Sequence, residues 1–215
     1  MNNVLDIPVF IPSKGRASTM ATPRVFSDWS EFSNIRVFVE PQDYTLYSEH
    51  YPENMLVNIE ENDKGIAYVR NFILHYAETL KTPYFIMADD DIKGFGRCVA
   101  VKPEKTTAKK ACEACFGLMN MYGLASISTN YRQSVGWNKR AAKDITFGQT
   151  PEVCVLFNAE KVKGFRYKSE YDLKEDKEFA CQLNKAGLQT ARSMVYYADV
   201  PSIGTNKGGL YDRYQ

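Results

Sequence analysis

The sequence predicts an α/β fold: a single domain with a mostly parallel central sheet flanked by helices. Three observations carry this. Short apolar runs alternate with helical periodicities from residue 7 to residue 88, a pattern that implies right-handed crossovers between parallel strands. At 215 residues the chain fits one such domain with a substantial core, and it contains no internal repeat. The fourth apolar run ends abruptly in Asp89, Asp90 and Asp91, at the strand end where open α/β sheets take ligands.

The first strand covers residues 7–11 and closes in Pro12-Ser13-Lys14-Gly15-Arg16. Gly15 permits a tight turn, and Lys14 and Arg16 place two cations at the carboxyl end of the strand. Residues 22–32 read as a helix, with Pro23 tolerated in its first turn. A second strand at 35–39 ends in Glu40, a short helix at 44–50 stops before Pro52, and a third strand spans 55–59. After a polar loop, residues 66–80 form a strong helix whose positions 66, 69, 72, 73, 76, 77 and 80 share one apolar face. The strand at 84–88 then delivers the three aspartates.

The second half is less regular. A basic, irregular connection leads to a helix at 107–122 and a strand at 124–128. Residues 130–147 hold Tyr131, Arg132, Trp137, Asn138, Lys139 and Arg140 with little periodicity, the character of a binding loop. Residues 153–157 are a strand and 165–173 a loop or short strand. A helix at 175–186 closes at Gly187, and a last strand covers 190–197. The glycine-rich tail at 202–210 has the composition to fold over a ligand.

Composition is that of a soluble globular protein, and no apolar run approaches the roughly 18 residues of a membrane span. Met1-Asn2-Asn3 leads straight into a strand rather than a signal peptide, so a cytoplasmic location is expected. Five scattered cysteines fit reduced thiols there; Cys112 and Cys115 form a CxxC without a second pair or a nearby histidine. Net charge is +1, but its distribution is uneven. Acidic residues dominate 28–63, while basic ones gather at 97–110, 132–143 and 161–168. That asymmetry permits a cationic face, and ordinary solvated lysines account for it equally.

Three adjacent carboxylates repel one another and persist together when a cation neutralises them, although an acidic turn or helix cap is the plain alternative. Neither the GxGxxG of a dinucleotide turn nor the GxxxxGK[ST] of a P-loop is present. A diphosphate would therefore need a metal on the aspartates as its counter-charge. Other residues carry two readings each. Arg70 faces the site or pairs with Asp63 or Glu61. Glu40 contacts a ligand or merely ends a strand. Glu175 and Asp176 do chemistry or complement the dipole of their helix.

In this order and spacing, Pro12-Ser13-Lys14-Gly15-Arg16, Gly65 through Arg70-Asn71, Asp89-Asp90-Asp91 and Glu175-Asp176 resemble a GT-A (Rossmann-like) glycosyltransferase across most of the chain. The compact size, the opening loop and the Gly-Thr-Asn-Lys-Gly-Gly tail look like the small phage-type DNA glycosyltransferases. That group includes the TET-associated enzymes and those that place arabinose or glucose on hydroxylated cytosine. The resemblance implies one GT-A domain over 1–215, with a nucleotide-sugar half at 1–95 and an acceptor half at 96–215. It implies a UDP-sugar donor, Mn²⁺ or Mg²⁺ as cofactor, an acceptor in DNA containing a modified cytosine, and a host cytoplasmic setting if phage-encoded.

By the same resemblance Asp89 holds the donor ribose or sugar and joins Asp91 as a metal ligand. Asp90 belongs to the donor side but points away and is expected to matter least. Lys14, Arg16, Glu40 and Arg70 contact the donor. Asp176 is the general base, with Glu175 as fallback. The family's C-terminal histidine ligand is missing here, since the only histidines are His50 and His75, and Asp199 is the nearest substitute. A GT-A enzyme acting on a glycan, lipid or protein acceptor is the alternative, and a non-catalytic sugar- or DNA-binding module the next.

Overall fold

The computed structural model describes residues 7–26, 34–99, 102–132, 144–171 and 174–202. The first half follows the predicted alternation: β1 (Val9–Pro12), α1 (Thr22–Val25), β2 (Ile35–Val39), α2 (Tyr44–Ser48), β3 (Leu56–Asn58), α3 (Ile66–Leu80) and β4 (Tyr84–Ala88). There follow β5 (Gly94–Val99), β6 (Lys102–Thr106), α4 (Ala108–Tyr122), β7 (Ser126–Tyr131) and β8 (Ile145–Phe147). The chain continues through β9 (Cys154–Asn158), α5 (Ala159–Val162), α6 (Glu175–Lys185) and β10 (Thr190–Asp199).

One sheet joins these strands in the order β3-β2-β1-β4-β9-β7-β10-β5-β6, with β8 against β10. Strands β3, β2, β1, β4, β7, β10 and β6 point one way, and β9, β5 and β8 run against them. The sheet is thus mostly parallel, and the carboxyl ends of β1, β2, β4, β7 and β10 share one edge. Because β9 is antiparallel to β4, the residues just before β9 reach that edge too.

Helix α3 covers one face. Its Ala67, Val69, Ile73, Leu74 and Ala77 pack with Phe10, Phe38, Phe85, Phe157 and Phe179. Leu80, expected on that face, is half exposed as the helix runs off the sheet. Helix α4 covers the opposite face through Ala111, Cys112, Cys115 and Met119 against Ile127, Leu156 and Ala191. It starts at Thr107, whose Oγ1 accepts the Lys110 N–H at 3.2 Å, and stops at left-handed Gly123. No disulfide joins the cysteines among the described residues, and none of the described helices is long and apolar enough to cross a membrane.

Some expectations are corrected. The expected irregular connection contains two paired strands, β5 (Gly94–Val99) and β6 (Lys102–Thr106). The helix expected at 22–32 is seen as one turn at Thr22–Val25, its remainder from 27 lying outside the described residues. The strand placed at 124–128 starts and ends later. Residues 165–171 form a loop and no strand. Residue 153 is not in its strand but in a turn before it, at a φ of 65°.

Candidate functional site

The loop after β1 is built around Asp90. Ser13 Oγ donates to Asp90 Oδ2 at 2.6 Å, and Arg16 Nη1 donates to Asp90 Oδ1 at 2.5 Å. Tyr47 Oη lies 2.6 Å from Ser13 Oγ and accepts the Arg16 N–H at 3.0 Å. With both oxygens engaged and 5% of its surface exposed, Asp90 ties the β1 turn to the end of β4 from beneath. Burial pushes its carboxyl up, and Arg16 and Ser13 pull against that. Gly15, at a φ of 65°, gives the turn its left-handed step and donates its N–H to Asp43. Thr22 Oγ1 donates to the Asp89 carbonyl at 2.6 Å and accepts the Ile92 N–H at 2.9 Å, so the first turn of α1 clamps the aspartate loop.

Beyond β2, Glu40 is 2% exposed, and Lys14 Nζ lies 2.9 Å from its Oε2. Lys14 also pairs with Asp63, and Gln42 Nε2 donates to Glu40 at 2.7 Å. Desolvation presses the Lys14 ammonium down, yet the two carboxylates outweigh it and raise its pKa. Sequence reasoning did not single out Gln42 or Asp63 as members of this group; in the structure Asp63 is left-handed, at a φ of 58°.

Arg70 turns away from both surface partners considered for it. Asp63 is taken by Lys14, and Glu61 pairs with Lys64 at 3.0 Å. Instead Arg70 Nη1 donates to Glu175 Oε1 at 2.7 Å, and its Nη2 lies 3.9 Å from Asp89 Oδ1. Its guanidinium sits over the Tyr167 ring, 5.5 Å from the centroid, and that ring stacks on Phe179 at 4.1 Å. Asn71 fixes Tyr167 from the next helical position, exchanging two 2.8 Å hydrogen bonds with its backbone N–H and carbonyl. The first turns of α3 and α6 therefore meet over the end of β4.

The two acidic residues opening α6 differ. Glu175 is 6% exposed and held by Arg70, whereas Asp176 is partly exposed, its Oδ1 accepting the Lys177 N–H at 2.7 Å. Asp176 adds to the field that raises the Arg70 pKa.

Burial pushes the Asp89 carboxyl up to about 7; Arg70 draws it down while Asp91 and Asp90 push further up. Its side chain is nevertheless 39% exposed. The folded value lies above the ordinary 3.8, so ionising Asp89 works against folding as the pH rises toward about 7. Asp89→Asn is therefore expected to be more stable than the wild type at pH 8, by on the order of 1 kcal/mol after discounting for solvent screening, and so to melt at a higher temperature. The gain shrinks as the pH falls toward 5. Thermal melts at the two pH values check this, and an equal difference at both would contradict it.

Asp91 keeps 25% of its side chain exposed beside Arg16, 3.4 Å away. Asp89 and Asp91 stand at one strand end with 39% and 25% of their side chains exposed, two oxygen donors of the kind a divalent cation takes. Asp199 is not gathered with them: its Oδ2 pairs with Arg132 at 3.0 Å, and its carbonyl accepts the Lys93 N–H. Among the described residues no cluster of three metal-ligating side chains forms.

On the acceptor side, several predicted cations are already paired: Arg97 with Glu104, Arg166 with Glu78 and Lys168 with Glu178. Residues 133–143, with Trp137, Asn138, Lys139 and Arg140, and the tail from 203 lie outside the described residues.

Residues 7–209 match the family described as TET-associated glycosyltransferase. Among solved structures, the crystal structure of S. aureus TarS 1-349 superposes with a TM-score of 0.56 at 14% identity, covering 90% of this chain and 60% of that one. The chain thus spans 60% of the length of that solved chain. No curated protein matches it.

Proposed function

The chain belongs to the TET-associated glycosyltransferase family, and from that premise we propose that it moves a sugar, arabinose or glucose, from a UDP-sugar to the hydroxyl of hydroxy- or hydroxymethylcytosine in phage DNA, with inversion. It is a glycosyltransferase of GT-A fold. The observation carrying the proposal is the polar run along one sheet edge, from Lys14 and Glu40 through Asp91, Asp89 and Arg70 to Asp176.

In this reading the Lys14–Glu40–Gln42 group meets the nucleoside, Arg70 meets the diphosphate or sugar, and Asp89 orients the ribose or sugar. Asp91 and Asp89 would hold Mn²⁺ or Mg²⁺; when bound, the ion offsets the charge developing on the departing UDP. Asp176 takes the proton of the acceptor hydroxyl. The acceptor oxygen then bonds to the anomeric carbon as the bond from that carbon to the phosphate oxygen breaks, its electron pair leaving with UDP. One carboxylate beside the acceptor and no covalent sugar intermediate give inversion. Asp176 suits this role better than Glu175, which Arg70 holds below the surface.

The family's association with TET supports a modified DNA base as acceptor. The ion pairs of Arg97, Arg166 and Lys168 favour the second reading, a glycan or protein acceptor, because they leave fewer cations for phosphates. UDP release separates the two. With hydroxymethylcytosine duplex DNA, Mn²⁺ and a UDP-sugar, UDP is expected to accumulate, and EDTA to stop it. Release driven only by glycan or protein acceptors would remove DNA from the account.

A further inference from the structure

Between the two halves of the site lies a turn that the transfer chemistry above does not use. Val153 has a φ of 65°, and the Cys154 N–H donates to the Glu152 carbonyl at 2.8 Å, closing a three-residue γ-turn of the rarer, strained hand. A β-branched residue adopts that conformation only when its surroundings impose it. The residues leading into the turn are held by Arg192 of β10. Its Nη2 donates to Glu152 Oε2 at 2.7 Å and to the Thr150 carbonyl at 3.1 Å, so one guanidinium grips both sides of the approach to the turn. Both side chains are largely buried, Arg192 at 12% and Glu152 at 25% exposure. The guanidinium also lies 5.4 Å from the centroid of the Tyr131 ring, at the end of β7.

The turn has a definite output. The carbonyl of Val153 accepts the Asp89 N–H at 2.7 Å, the first backbone bond beyond the β4–β9 ladder. The Asp89 backbone is thus tied to Thr22 through its carbonyl and to the Val153 turn through its N–H, and Glu152, next to that turn, is bonded to Arg192. Glu152 also feels Asp176: burial and the Asp176 charge push its carboxyl up, and Arg192 pulls it back.

We propose that the Glu152–Arg192 ion pair is a positioning device for the transfer site, holding the Val153 turn so that its carbonyl fixes Asp89. Neither residue touches substrate; both act through Asp89. The proposal rests on the reading of Asp89 as a donor-side residue, while the contact it invokes can be measured without any substrate.

The Asp89 amide reports that contact directly by hydrogen exchange. In Glu152→Ala and Arg192→Met its exchange is expected to quicken by about tenfold or more, as a local opening does. The Ile86 amide, bonded to the Pro8 carbonyl in the middle of the sheet, should stay unchanged. In the UDP-release assay, kcat per folded molecule should fall by about tenfold or more while the donor KM moves less than about threefold. Glu152→Gln keeps an acceptor oxygen for Arg192 and should stay near wild type in both readouts. Three results would overturn the proposal: unchanged exchange at Asp89 in the two disruptive variants; faster exchange throughout the sheet with activity tracking the folded fraction; or Glu152→Gln as impaired as Glu152→Ala. If the wild type uses only a non-DNA acceptor, the DNA reading fails while both tests of the pair stand.

Discussion

Asp91→Ala is expected to lower transfer by about a thousandfold or more, the scale of losing a principal electrostatic contact to the leaving group, while the protein stays folded. The fold survives because the β1–β4 junction rests on Asp90. That residue keeps its bonds to Ser13 and Arg16 whether or not a carboxylate stands at 91. The Arg16 cation likewise retains its 2.5 Å partner. Initial-rate UDP release alongside a thermal melt checks both halves of this expectation. Transfer at near wild-type rate would remove Asp91, and with it the metal, from the mechanism.

Asp176→Asn carries the second large effect. Loss of a general base costs on the order of a hundred- to ten-thousandfold in kcat, with little change in the donor KM because donor contacts lie elsewhere. Glu175→Gln supplies the contrast. Glu175 is buried against Arg70 at 2.7 Å, and removing one charge of a buried pair destabilises the other. That variant should therefore show lower stability and a higher donor KM. If Glu175→Gln instead reproduces a pure kcat loss and Asp176→Asn does not, the two roles are reversed.

The first half was legible in the sequence because its signals are local. Apolar runs of strand length, the 3.6-residue periodicity of α3 and three aspartates at a strand end needed no knowledge of distant partners. What the sequence hid is set by contacts far apart in the chain. Asp90 alternates away from its neighbours and so looked dispensable, yet it meets Ser13 and Arg16 more than 70 residues away. Arg70 had acidic neighbours at 61 and 63, and only packing shows that these go to Lys64 and Lys14 and leave it to Glu175, 105 positions on.

The second half was harder for a different reason. The β5–β6 hairpin contains Gly94, Gly96 and Pro103, residues that read as loop. Gly96 is required there because the Tyr197 ring of β10 occupies the space a Cβ would need. Antiparallel β9 gives no local sign of its direction, and that direction is what brings Glu152 and Val153 to the edge that carries the candidate site.

The account stands most directly on the product. Hydroxymethylcytosine DNA incubated with the protein, Mn²⁺ and a panel of UDP-sugars should yield, on digestion and mass analysis of the nucleosides, a cytosine derivative heavier by one pentose or hexose. The product should vanish with EDTA or with Asp91→Ala. Unmodified nucleosides with every donor, from protein that transfers the sugar to another acceptor and releases UDP, would contradict it.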